Sequence, residues 1–96
     1  MRRAAKVDGN HSEIVAEFRR LGASVQSLAA VGKGVPDLLV GYQARNILIE
    51  VKMPKGKLTP DQITWFGAWL GGRPLVVSSA QQVRAILEGA SFLRKT

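Results

Sequence analysis

Gly34-Val35-Pro36-Asp37-Leu38-Leu39-Val40 and, after a short break, Ile47-Leu48-Ile49-Glu50-Val51-Lys52 are the stretches that decide how this chain is read. Both are apolar runs interrupted by charge, Asp37 in the first and Glu50 in the second, with Lys52 at the end of the second. A carboxylate inside such a run is costly to bury unless something positive meets it. Two carboxylates facing each other raise that cost by repulsion, unless a cation or a shared proton relieves it. Strand alternation points Glu50 and Lys52 to one face and Ile49 and Val51 to the other. Two acids and an amine converging at a strand edge make a small site for a hard divalent cation.

Working outward, Asn10 or Ser12 can cap a helix that runs to about Leu21 and stops at Gly22, with Ile14, Val15, Phe18 and Leu21 as its apolar stripe. Residues 23–28 are predicted to form a first strand. Residues 29–34 form a loop in which Gly32, Lys33 and Gly34 suit close approach by a phosphate backbone. Pro36 opens the second strand, where its missing N–H is tolerated. Residues 41–45 turn the chain into a third strand over 46–52, and a basic loop with Lys55 and Lys57 follows. Thr59-Pro60-Asp61-Gln62 carries the marks of a helix start: an N-cap, Pro at the first helical position and an acid near the positive end. That helix is expected to end at Gly71-Gly72 and to turn Gln62, Phe66 and Trp69 inward. Residues 74–78 are a nearly all-apolar fourth strand, expected to be buried on both faces. Residues 79–87 form a last helix. The order αβββαβα implies a right-handed crossover between the third and fourth strands. No repeat, linker or low-complexity tract interrupts it.

Composition bounds the answer. The 96 residues make one domain, with residues 1–8 expected to be a flexible basic arm. A domain of this size buries only about 60–65% of its unfolded surface, so the core is thin and dimerisation would help it. No apolar run reaches the roughly 18 residues of a membrane span, and the basic opening lacks the apolar segment of a signal peptide. The absence of cysteine removes disulfides, thiolate metal sites and cysteine nucleophiles, and suits a reducing cytoplasm. With a single histidine as well, no zinc-spaced set and no Ser-His-Asp arrangement competes. The 14 basic against 7 acidic residues give a net charge of +7, for which nucleic acid is the natural partner. The basic residues are scattered rather than gathered on one amphipathic helix, which argues against a membrane surface.

The ordered set resembles the PD-(D/E)XK phosphodiesterase superfamily. It comprises the amphipathic opening helix, Gly22-Ala23-Ser24-Val25, the run from Gly32 through Pro36-Asp37 to Gly41, Ile49-Glu50-Val51-Lys52 and Leu58-Thr59-Pro60-Asp61-Gln62. More narrowly it resembles the small stand-alone VRR-NUC (virus-type replication-repair nuclease) proteins of phages and prophages, from about Val7 to Leu87. Pro-Asp with Glu-x-Lys alone is a weak signal; the full set in order, at these spacings, is a strong one. The resemblance implies an α/β fold with a restriction-endonuclease-like core, a small mixed central sheet flanked by helices. It further implies a bacterial host cytoplasm and a metal-dependent DNA endonuclease, selective for branched DNA such as four-way (Holliday) junctions and working as a homodimer. The alternative is a catalytically degenerate basic DNA-binding module, or a structural subunit of a phage replication complex.

By the same resemblance Asp37, Glu50 and the Val51 carbonyl hold Mg²⁺ or Mn²⁺ in an oxygen shell, and Lys52 orients or deprotonates the attacking water. Lys33, Lys55 and Lys57 contact the DNA. Gln62 has two open readings: the capping-box partner of Thr59, or a member of the active site as in similar nucleases. Many relatives carry an acid in the first turn of the opening helix; the corresponding position here is His11. His11 falls on the Ile14–Phe18 face of the helical wheel, Glu13 falls off it and Glu17 lies at its margin. Asp8, Glu13 and Glu17 remain alternatives to His11 as the residue that completes the site.

Overall fold

The computed structural model describes residues 9–95; the expected basic arm at 1–8, and Asp8 with it, lie outside the described residues. The elements follow in the order α1 (His11–Arg20), β1 (Ser24–Ser27), β2 (Leu38–Tyr42), β3 (Arg45–Val51), α2 (Pro60–Ala68), β4 (Leu75–Val77) and α3 (Ala80–Lys95). The αβββαβα order expected from the sequence is the observed one. The strands form one four-stranded sheet in the order β1-β2-β3-β4. β1, β2 and β3 run antiparallel, and β4 pairs parallel to β3, so the sheet is mixed and α2 lies in the connection that makes the parallel pair possible.

One face of the sheet holds the core. Ile14 and Phe18 of α1 and Val83 and Leu87 of α3 close over Leu38, Val40, Ile49, Val51 and Val77, all of them buried. The alternate residues along the same strands point the other way. On that second face Leu39 is 36% exposed and Val76 45%, while Glu50 is buried. α2 lies on this face and buries none of its own residues.

Several boundaries and orientations differ from those the sequence suggests, each for a physical reason. Asn10 occupies the N-cap position of α1, but its side chain makes no capping bond; it donates instead to the Lys52 and Ser78 carbonyls across the sheet end. The β2–β3 turn is tighter than residues 41–45: Tyr42 pairs with Arg45. Gln43 and Ala44 alone make the turn, with φ of 48° and 65°. Left-handed backbone at both central positions matches the twist of the flanking strands, so a two-residue hairpin forms without Asn or Gly at either. α2 stops at Ala68, and Trp69 leaves the helix in extended conformation as its C-cap. Trp69 therefore lies beyond the helix that carries Gln62, and lines a cavity with Leu39 and Leu48 of the sheet. It is 47% exposed and stacks on Trp65 with ring centroids 4.7 Å apart. β4 is an edge strand of which only Val77 is buried: Leu75, on the same face as Val77, and Val76, on the other, are both exposed, contrary to burial on both faces.

Candidate active site

The charged residues of the two decisive stretches meet on the second face, at the end of the sheet where β2 begins and β3 finishes. Asp37 precedes β2. Its carbonyl accepts from Leu28 N at 2.6 Å, which carries the β1–β2 pairing one step beyond the strands. Its Oδ2 accepts from the Val51 amide at 2.9 Å, so the side chain reaches across to β3. Glu50, one residue before, is only 2% exposed. Lys52 Nζ lies 3.8 Å from Glu50 Oε2. Gln62 Nε2 donates to the same oxygen at 2.9 Å. The other carboxylate oxygen of Glu50, Oε1, is buried and has no hydrogen-bond partner.

Both readings of Gln62 hold together. Its Oε1 accepts from Thr59 N at 2.9 Å while Thr59 Oγ1 accepts from Gln62 N at 3.2 Å, a complete capping box. The amide nitrogen remains to grip Glu50. A carboxamide is the group that can do both, because it carries an acceptor and donors on one planar end. The first turn of α2 is thereby fixed to the Glu50 carboxylate.

Gly34 makes this approach possible. It has φ of +85°, and a Cβ there would run into the backbone of Asp61 in the first turn of α2. The loop before Asp37 and the start of α2 thus close on each other across a cavity of about 230 Å³. Lys33, Asp37, Glu50, Val51, Lys52 and Gln62 all line it. Lys33 itself stands at φ of 58°, a left-handed conformation uncommon for a side-chain-bearing residue.

The electrostatics follow from the crowding. Burial raises the Glu50 pKa to about 8, with the facing Asp37 charge as the next cause and Lys52 offsetting only part of the rise. Near neutral pH the metal-free site therefore favours a proton on Glu50. A hard cation would replace that proton, and the donor set fits one: two carboxylates, one with a buried unpartnered oxygen, and no sulfur or imidazole. Among the described residues no cluster of three or more His, Cys, Asp or Glu occurs.

The remaining candidates lie elsewhere. His11 lines a separate cavity with Val15, Arg19, Val25 and Leu38 between α1 and β1, its Nε2 buried without a hydrogen-bond partner. Glu17 is held by Arg20 at 2.6 Å and its carboxyl lies below its ordinary pKa because of that bond. Glu13 is exposed. Lys55, in the turn that follows Lys52, and Lys57, just after it, are exposed. Sequence reasoning did not anticipate Asn10 at the end of β3: an Asn before a helix signals a cap, and nothing local reveals a partner far along the chain.

A mixed sheet with helices on both faces, an acid entering one central strand and Glu-x-Lys leaving the next, is a restriction-endonuclease-like fold. The sequence model of the VRR-NUC domain matches residues 4–82, and the chain belongs to that family of nucleases. A solved structure described as a VRR_NUC domain is 30% identical, covering 81% of this chain and 89% of its own, with a TM-score of 0.66. No curated protein matches the chain. No helix among the described residues is long and apolar enough to cross a membrane.

Proposed function

We propose that the protein is a divalent-metal-dependent DNA endonuclease that hydrolyses phosphodiester bonds, selects branched DNA such as four-way junctions, and acts as a homodimer. The observation that carries this reading is the buried Glu50 carboxylate, facing Asp37, with one oxygen unpartnered and a lysine amine at the other. Such a group is destabilised as it stands and gains from a cation.

Asp37, Glu50 and the Val51 carbonyl would hold Mg²⁺ or Mn²⁺. When bound, the metal acidifies a water and neutralises charge on the scissile phosphate. Lys52 holds or takes the proton of the attacking water. The water oxygen would then bond to phosphorus as the bond to the 3′ oxygen breaks, and the leaving 3′ oxygen would take a proton from solvent, leaving a 5′-phosphate and a 3′-hydroxyl. Gln62 keeps Glu50 in orientation, since its amide spans the capping box and the carboxylate. Lys33 on the rim and the exposed Lys55 and Lys57 contact the DNA backbone, adding affinity that falls as salt rises.

Support for the dimer comes from the second face. Leu39 and Val76 are exposed on it, as are Ile63 in α2 and Trp69 and Leu70 just after α2, Leu70 at 97%. A compact chain with one site can place the two symmetric cuts of a junction only by two-fold pairing. The test is cleavage of supercoiled plasmid and of a synthetic four-way junction with and without Mg²⁺, beside sedimentation equilibrium at micromolar concentration. Metal-dependent junction cleavage lost in Asp37→Ala is expected. Undiminished activity in excess chelator defeats the nuclease reading, and salt-dependent binding without cleavage leaves a DNA-binding module. A monomer mass both free and on junction DNA removes the resolvase part alone.

A further inference from the structure

We infer that Asn10 is a positioning residue for Lys52, a role that rests on the nuclease reading above. The parallel pairing of β3 and β4 ends at Val51 opposite Val77, with Lys52 N donating to Val77 O at 3.0 Å as the last bond between them. Beyond it the carbonyls of Lys52 and Ser78 have run out of strand partners. The Asn10 amide closes both, Nδ2 lying 3.1 Å from Lys52 O and 2.9 Å from Ser78 O. The Lys52 peptide is thus held on each side, its N–H by β4 and its C=O by the N-terminus of α1.

This matters because of what comes next in the chain. Met53-Pro54 leads directly into a turn closed by Gly56 N to Met53 O at 2.8 Å. Pro54 has no N–H to continue a ladder. The Asn10 bridge holds the Lys52 carbonyl at the end of the sheet, one residue before that turn begins at Met53. A fixed backbone at Lys52 directs its side chain to the face where its amine stands 3.8 Å from Glu50. Asn10 itself does not line the site cavity, so it acts on Lys52 through the backbone and touches no substrate. The side chain that marks the N-cap position of α1 is spent on the end of β3, and α1 begins without a side-chain cap.

Two variants test it. Asn10→Asp keeps the shape, loses both N–H donors and sets a carboxylate against two carbonyls; Asn10→Ser keeps one donor on a shorter arm. Two readouts are taken: steady-state cleavage of junction DNA, and amide hydrogen exchange of Lys52 in the metal-free protein. Asn10→Asp is expected to lower kcat by about 10- to 100-fold, the scale of a sub-ångström to ångström misplacement, with KM changed by no more than about twofold. Lys52 N–H exchange should accelerate by at least about tenfold while Ile49 and Val77 stay protected. Asn10→Ser should fall between Asn10→Asp and wild type on both. Unchanged Lys52 exchange in both variants overturns the clamp. Accelerated exchange with wild-type kcat overturns the positioning role. If the wild type does not cleave DNA at all, the nuclease reading fails while the exchange arm still decides whether the clamp exists.

Discussion

The two faces of the sheet are built from the same strands and obey opposite rules. On the face under α1 and α3, Leu38, Val40, Ile49, Val51 and Val77 are buried, Val25, Tyr42 and Ile47 are partly buried around them, and Phe18 and Ile14 fill the space between the helices and the strands. On the face under α2, the one fully buried side chain of the strands is a carboxylate, and large apolar residues such as Leu39 and Val76 stay exposed. The first face stabilises the domain; the second holds a group whose burial works against stability. The difference teaches where the small core of this domain is concentrated, and why a site can be placed one residue away from it: strand alternation separates Glu50 from Ile49 and Val51 completely.

The largest effects should come from removing the site itself. Asp37→Ala and Lys52→Ala are each expected to lower cleavage by about 10³-fold or more, equivalent to several kcal/mol of transition-state stabilisation. Plasmid-nicking rates measure this, and salt-dependent DNA binding should survive in both. A variant that still nicks at near wild-type rate would break the assignment of function to the second face.

Next comes the core face. Phe18→Ala should cost about 3–5 kcal/mol, a large part of the total stability of a domain this size. Ile63→Ala, on the face of α2, should cost less than about 1 kcal/mol. Urea melts of the two proteins compare the faces directly. Equal losses would mean that α2 contributes as much to the core as α1.

The third prediction uses the sign of the Glu50 shift. Its pKa rises from 4.5 to about 8 in the folded, metal-free protein. Below pH 4.5 folded and unfolded chains both carry this proton and its contribution is fully present. Between 4.5 and 8 only the folded chain keeps it, so the contribution is lost as pH rises, and above about 8 it is gone. In chelator, the melting temperature of wild type should therefore fall between pH 5 and pH 8.5 more than that of Glu50→Gln, which should also melt higher at pH 8.5. Millimolar Mg²⁺ should raise the wild-type melting temperature at pH 8.5 by mass action and leave Asp37→Ala/Glu50→Gln unmoved. A wild-type melting curve that ignores both pH and Mg²⁺ would contradict the account of this site.

A smaller effect separates the two bonds of Gln62. Gln62→Glu retains the acceptor for Thr59 N, loses the donor to Glu50 and adds a third carboxylate; it should lower cleavage by about 10- to 100-fold, as loss of a ligand-orienting group does. Gln62→Ala should in addition weaken α2 by about 1 kcal/mol through the lost cap. If Gln62→Glu cleaves like wild type, the bond to Glu50 is incidental and only the capping box matters.

His11→Ala should change cleavage the least, within about twofold, because His11 lines the cavity between α1 and β1 and changes made away from the reacting groups are usually small. A large loss would bring α1 into the site and erase the separation between the two faces.

Much of this was legible along the chain. Alternation around Glu50 identified β3 and assigned its faces, and Thr59-Pro60-Asp61-Gln62 marked the start of α2 because a capping box is a local device whose partners lie three residues apart. The errors fell where a partner lay far away. The helix expected to continue to Gly71 ends at Ala68, leaving Trp69 as its C-cap. The apolar run at β4 suggested cover on both faces, yet its position at the sheet edge leaves Leu75 and Val76 exposed. The tight hairpin at Gln43 and Ala44 carries no Asn or Gly to announce it.

By itself the sequence determined the element order, the core stripe of α1, the meeting of two carboxylates and a lysine at one candidate site, and the family. These are properties of periodicity and spacing, which act between near neighbours and survive in one dimension. Only the tertiary structure decided that Gln62 serves its helix and Glu50 at once, that Gly34 lets the loop close on the start of α2, that His11 lies in a different cavity, and that Asn10 grips the end of β3. Each of those is a contact between residues distant in the chain. Hydrogen bonding and close packing there depend on ångström distances that no local pattern encodes.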